Sequence, residues 1–108
     1  MSISNYAKAL FQIAKEENKI DIISYQFENF YELIQKNENW IKLMDSPMVL
    51  YREKLRMIDA LKYDASFLSF LKIIAKKNNV HFYKEIYDEW LRLSRIYQKI
   101  AHITIHSA

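Results

Sequence analysis

Across 108 residues this chain contains no glycine and a single proline, Pro47. Glycine enters positive-φ conformations without a steric cost, and the tight turns of β-hairpins depend on such conformations. A chain that lacks it cannot reverse direction often. It is suited to long helices joined at a few corners, and asparagine can supply the left-handed residue at some of them. Asn18, Asn37 and Asn78-Asn79 interrupt the apolar pattern where such corners belong. The expected fold class is all-α: a compact six-helix bundle, with a short extended exit segment at its C-terminal end.

Helical periodicity places the six segments. The first runs from about residue 4 to 17, with Ser2 or Ser4 as N-cap. The second starts after Asn18 and buries Ile20, Ile23, Phe27, Phe30, Tyr31 and Ile34. The third is short, from about residue 38 to 44, and Ser46-Pro47 stops it. The fourth, from about 51 to 62, turns Leu55, Ile58 and Leu61 inward. The fifth covers about 65 to 77 with Asp64 as N-cap. The sixth covers about 82 to 100, with Tyr83, Ile86, Tyr87, Trp90, Leu93, Tyr97 and Ile100 recurring every three or four residues, and Asp88 placed to pair with Arg92. Both Trp40 and Trp90 read as core. Residues 102–106 alternate His, Ile, Thr, Ile, His, a period of two that predicts extended backbone. The organisation expected is a helical domain over 1–101 and, from 102 to 108, the start of a linker.

Composition narrows the function classes. Hydrophobic residues make up 51% and charged residues 27%, which marks a folded domain. Without cysteine there is no disulfide and no thiolate metal site. No apolar run is long enough to span a bilayer, and the N-terminus lacks the basic-then-apolar pattern of a signal peptide. Catalytic chemistry finds little support. The 13 carboxylates are scattered over polar faces, and there is no Gly-rich phosphate loop, since there is no glycine. His102 and His106, if extended, lie about 13 Å apart, too far to share one ion. His81, at the expected start of the sixth helix, suits a capping or loop role. No catalytic residue, metal site or cofactor is expected. The net charge of +3 raises nucleic-acid binding as an alternative, a small basic helical module. The basic residues are dispersed, however, and solvated helix faces explain them as well.

Two helices carry more apolar surface than one neighbour can cover. In the first, Tyr6, Ala7, Ala9, Leu10, Phe11, Ile13 and Ala14 span roughly 200°, against about 100° for an ordinary amphipathic stripe. In the fifth, Phe67, Leu68, Phe70, Leu71, Ile73, Ile74 and Ala75 span roughly 220°. Either both helices are central to the bundle, or they lie side by side and their outer shoulders form a groove. An apolar groove with a basic rim suits an amphipathic helix from a partner.

Four stretches also resemble a known family. Tyr6-Ala7-Lys8-Ala9-Leu10-Phe11 is similar to the opening helix of the delta subunit of bacterial F-type ATP synthase, the counterpart of the oligomycin-sensitivity-conferring protein. Asp45-Ser46-Pro47 sits where that family ends its third helix. Residues 70–80, from Phe70 to Val80, resemble its fifth helix and following turn, and Ala101 to Ala108 resemble the exit from its N-terminal domain. The resemblance covers the whole chain. It implies a non-catalytic stator subunit. The N-terminal domain would receive the amphipathic N-terminal helix of an alpha subunit between helices one and five. A second domain, absent from this chain, would hold the peripheral stalk. The implied contact residues are Tyr6, Ala9, Leu10, Ile13, Phe70, Ile73 and Lys77. The implied location is peripheral, on the cytoplasmic face of the cell membrane, without membrane insertion and without nucleic acid. The chain departs from the family in carrying Asn78-Asn79 where members commonly have Gly-Arg.

Overall fold

The computed structural model describes residues 3–107, with side chains for 3–99. Six α-helices follow in order: α1 Ile3–Glu16, α2 Ile20–Lys36, α3 Glu38–Asp45, α4 Tyr51–Asp59, α5 Ala65–Lys76 and α6 Tyr83–Ser107. A 3₁₀ turn, Val80–Phe82, leads into α6. No strand occurs among the described residues. α1 packs on α6, α5 and α2, while α4 packs on α5 and α3 lies against α2 and the 3₁₀ turn.

The corners use left-handed backbone at three non-glycine residues: Asn18 (φ 56°), Lys62 (φ 57°) and Asn78 (φ 56°). Two of the three are the expected asparagines. Asn37 also lies at a corner, but with φ −133°, and the third left-handed residue is a lysine. Lys62 follows the last turn of α4, where its amide donates to Asp59 O at 3.2 Å. That turn ends α4 at Asp59, three residues before the predicted end.

Aromatic packing fills the centre. The ring of Phe27, fully buried, lies 5.0 Å from Phe67 and 5.4 Å from Phe70 on α5. On α6 it lies 5.5 Å from Tyr83, 5.5 Å from Tyr87 and 4.9 Å from Trp90. One side chain of α2 thus holds α5 and α6 together. Two buried polar groups find partners here. Tyr83 donates its hydroxyl to Phe27 O at 2.7 Å, and Trp90 donates Nε1–H to Ser24 Oγ at 2.8 Å. Trp90 is core as expected. Trp40 is only half buried: it meets Phe30 edge-on at 5.1 Å, and its other face lines a surface cleft.

The Asp45-Ser46-Pro47 stretch does more than end α3. Asp45 accepts the amides of Val80 (2.7 Å) and His81 (2.9 Å) and also meets His81 Nδ1. Its carboxylate therefore caps the 3₁₀ turn and ties the end of α3 to the start of α6. Ser46 Oγ accepts from Met48 N at 3.2 Å, shaping the loop around Pro47.

Two expectations are corrected. The backbone over 102–106 is not extended: α6 continues to Ser107. Period-two alternation over five residues is short, and a strand needs a neighbour to satisfy its backbone, whereas a helix satisfies its own. The separation argued for His102 and His106 fell on that extended backbone; their side chains lie outside those described. Asp88 does not pair with Arg92. Asp88 meets Lys84 at 3.6 Å, and Arg92 forms two hydrogen bonds to Glu89, at 2.6 and 2.9 Å. The shorter i, i+3 reach suits the fork of the guanidinium. That hydrogen bond holds the Glu89 carboxyl below its usual range.

Burial, reinforced by Tyr87 and Tyr63, holds the Tyr83 phenol well above its ordinary value of 10.0. The folded state therefore keeps the proton that the unfolded chain releases above about pH 10. Stability contributed by this group is fully present below that pH and is lost as pH rises through and beyond it. Urea midpoints should thus hold steady up to pH 9 and fall above pH 10. Tyr83→Phe should shallow that fall without abolishing it, because the phenols of Tyr63 and Tyr87 shift the same way. At pH 7 it should cost about 1 kcal/mol through the lost hydrogen bond.

Candidate functional site: the exposed seam between α1 and α5

Two side-chain bonds fix how α1 and α5 lie against each other. Near the start of α1, Tyr6 Oη accepts from Asn79 Nδ2 at 3.3 Å, just past the end of α5. At the other end, Ser66 Oγ, in the first turn of α5, donates to Glu17 Oε1 at 3.1 Å. The helices are therefore antiparallel neighbours.

The start of α5 is held by several partners. Asp64 caps it by accepting from Ser66 N at 3.0 Å. Its carboxylate also meets Lys19 Nζ at 3.2 Å, and its amide donates to Gln26 Oε1 at 3.0 Å. The expected N-cap is thus present, and it joins the α1–α2 corner to α5. At the far end, left-handed Asn78 turns the chain, at the steric cost that an asparagine tolerates.

Helical spacing places the outward residues of the seam. Tyr6, Ile13 and Glu17 share a face at i, i+7 and i+11; Glu17 touches α5 at Ser66, and Tyr6 touches Asn79 just beyond its end. Ser66, Ile73 and Lys77 share a face of α5 with the same spacing, and Ser66 touches α1. Ile13 and Ile73 therefore lie along the adjoining edges of the two helices. Interpolating between the two bonds puts them level to within about one helical turn. Both are exposed, Ile13 at 43% and Ile73 at 49%. Ala9 and Lys77 are exposed beside them.

The seven residues implied by the resemblance thus fall into two groups. Ala9, Ile13, Ile73 and Lys77 present surface. Tyr6, Leu10 and Phe70 are buried, with 6%, 4% and 4% exposure. These three support the seam from within and offer almost no free surface. The wide apolar arcs are resolved the same way. Most of each is consumed inside: Tyr6, Ala7, Leu10, Phe11 and Ala14 on α1, and Phe67, Phe70, Leu71, Ile74 and Ala75 on α5. The surplus is a narrow strip dominated by two isoleucines.

The strip has a charge gradient. Glu16 and Glu17 lie at one end and Lys77 at the other. Among the described residues no group of His, Asp or Glu is arranged to hold a metal ion.

Sequence reasoning missed a concavity elsewhere on the molecule. A cleft of about 860 Å³ lies between the end of α2, α3 and α4, lined by Leu33, Ile34, Trp40, Leu43, Met57 and Leu61 among others. It lies away from the α1–α5 seam. The signal available was Leu33 and Leu43, off the buried stripes of their helices; Trp40 masked it by reading as core.

With this geometry in place, comparison with known proteins decides the family. The family model described as ATP synthase delta (OSCP) subunit matches residues 3–108. The chain belongs to that family. It is 39% identical over 109 residues to the ATP synthase subunit delta of Acholeplasma laidlawii, covering all of this chain and 64% of that protein. It is 36% identical over 92 residues to the subunit delta of Natranaerobius thermophilus, covering 83% of this chain and 51% of that protein. For the subunit delta of Clostridioides difficile the figures are 26% over 87 residues, 77% and 48%. The chain therefore spans about half to two thirds of the length of these curated relatives.

The burial pattern makes a direct prediction about stability. Ile13→Ala and Ile73→Ala should each change unfolding free energy by less than about 1 kcal/mol, because neither vacates a packed site. Leu10→Ala, which does, should cost about 2–5 kcal/mol. Urea denaturation of the three variants measures both; a large loss in the isoleucine variants would mean that the strip is core.

Proposed function

We propose that this chain is the α1–α5 docking domain of a non-catalytic stator subunit, and that the strip between α1 and α5 receives an amphipathic helix from the N-terminus of an alpha subunit. The observation that carries the reading is the joint exposure of Ile13 and Ile73 on adjoining edges of two otherwise well-buried helices. Family membership supports the stator role.

The physical case is one of fit. An amphipathic helix laid along the strip would cover the exposed portions of Ile13 and Ile73, each contributing about 1–2 kcal/mol from apolar area alone. Ala9 lets a partner backbone come close. Lys77 favours an acidic end of the partner, and Glu16 and Glu17 favour a basic one. Tyr6, Leu10 and Phe70 act as positioning residues that hold the two edges in place.

In the assembled enzyme, the proposed subunit links the catalytic head to a peripheral stalk and resists the torque of rotation. A further domain of the subunit would hold the stalk, with 1–101 forming the helical domain. No helix among the described residues is long and apolar enough to cross a membrane. The proposed position is peripheral, on the cytoplasmic face, carried there by the complex.

A nucleic-acid module would use its basic side chains as free phosphate contacts. Here the basic residues are dispersed along the chain rather than gathered in one stripe, and Lys19, Lys72, Lys84 and Arg92 are each engaged by a carboxylate, which together favour the protein partner.

Calorimetric titration with the alpha-subunit N-terminal peptide from the same organism tests the proposal. Ile73→Ala should weaken binding by about 1–3 kcal/mol. Affinity should change little between 50 and 300 mM salt, whereas a phosphate-binding surface would lose affinity steeply over that range. Unchanged affinity in a folded Ile73→Ala variant would refute the proposed strip.

A further inference from the structure

A second surface lies beside α4 and stands independently of the α1–α5 reading. Lys54 is buried to 4% exposure, a rare state for lysine. Its Nζ donates to Asn78 Oδ1 at 2.8 Å. That partner is a neutral amide. Among the described residues no carboxylate lies within 4 Å of Lys54 Nζ or of Lys76 Nζ. An ammonium has three N–H donors, and a buried charge ordinarily has an opposite charge beside it.

The missing charge has somewhere to sit. Lys54, Lys76 and Asn78 line one cleft of about 360 Å³, together with Leu50 and Tyr51 on its apolar side. Lys76 Nζ stands 5.7 Å from the centre of the Tyr51 ring, so the second cation is held over the same cleft. No acidic residue lines it. The loop ahead of α4 carries exposed apolar side chains, Met48 at 87% and Leu50 at 57%.

We infer that this cleft between the α3–α4 loop, α4 and the end of α5 binds a carboxylate side chain of a partner polypeptide, flanked by apolar residues that cover Met48 and Leu50. The apolar wall sets the source. A free phosphate prefers surroundings rich in donors, whereas a glutamate or aspartate in an apolar segment uses both halves of the cleft.

The test is titration of the isotope-labelled 108-residue chain, followed by amide chemical shifts, with three probes. The first is an acetylated pentapeptide alternating leucine and glutamate, the second is its glutamine counterpart, and the third is sodium phosphate at matched ionic strength. The glutamate peptide should move the amides of Leu50, Lys54 and Asn78 saturably. The glutamine peptide should bind at least tenfold more weakly, and phosphate should leave these amides in place. Lys54→Met should abolish the response, and Lys76→Gln, an exposed change that leaves the core untouched, should weaken it several-fold. Equal response to both peptides would overturn the inference. So would phosphate moving the same amides as strongly, an unchanged titration in Lys76→Gln, or shifts confined to Ile13 and Ile73. Because the α1–α5 strip is read by a different peptide and a different variant, either proposal can fail alone.

Discussion

The fold turns on the ring of Phe27. A single α2 side chain is packed against two rings of α5 and three of α6. Aromatic pairs prefer edge-on and offset arrangements, and each is sensitive to rotation of the helix that carries it. Five rings packed around that of Phe27 therefore fix the rotation of α5 about its own axis. With Phe67, Phe70 and Ile74 committed inward, Ile73 has no inward position left. Its exposure follows from the core and is not an accident of the surface.

The α1–α5 pair inherits that rotation and adds a pair of end fastenings. Ser66 to Glu17 at one end and Asn79 to Tyr6 at the other hold the two helices in fixed register. Interior close packing resists small displacements, so the strip between them is preformed. A preformed strip would spare a docking helix the entropy of ordering its receptor. The same Asn78-Asn79 turn serves both neighbours of α5: Asn79 reaches α1 through Tyr6, and Asn78 reaches α4 through Lys54.

Much of this was legible in the sequence, and the failures have physical causes. The absence of glycine predicted helices, and the periodicity of α2 predicted Ile20, Ile23, Phe27, Phe30 and Ile34 as its buried face, although Tyr31, also expected there, is only partly buried. Asp64 was readable as a cap because an N-cap depends on neighbours in sequence. Lys62 was not readable, since a lysine enters the left-handed region only when tertiary packing forces it. The surplus apolar width of α1 and α5 was visible, but periodicity alone could not say which residues of each arc remain outside. Tyr6, Leu10 and Phe70 turned inward because α5 and α6 both press on α1. Ala9 and Ile13 stayed outside because no third helix reaches that edge. The burial of Lys54 could not be seen at all, because its partner Asn78 lies 24 positions away. The extended exit over 102–106 was a local reading of five residues, overridden by the continuation of α6.

The most direct test of the central claim is amide chemical-shift mapping of the labelled chain with the alpha-subunit N-terminal peptide bound. A helix seated on the α1–α5 strip should perturb Ala9, Ile13, Ile73 and Lys77 and their immediate neighbours, leaving the cleft near Leu33 and Trp40 unchanged. Perturbations centred on Leu33, Trp40 and Met57, with Ile13 and Ile73 unmoved, would contradict the account.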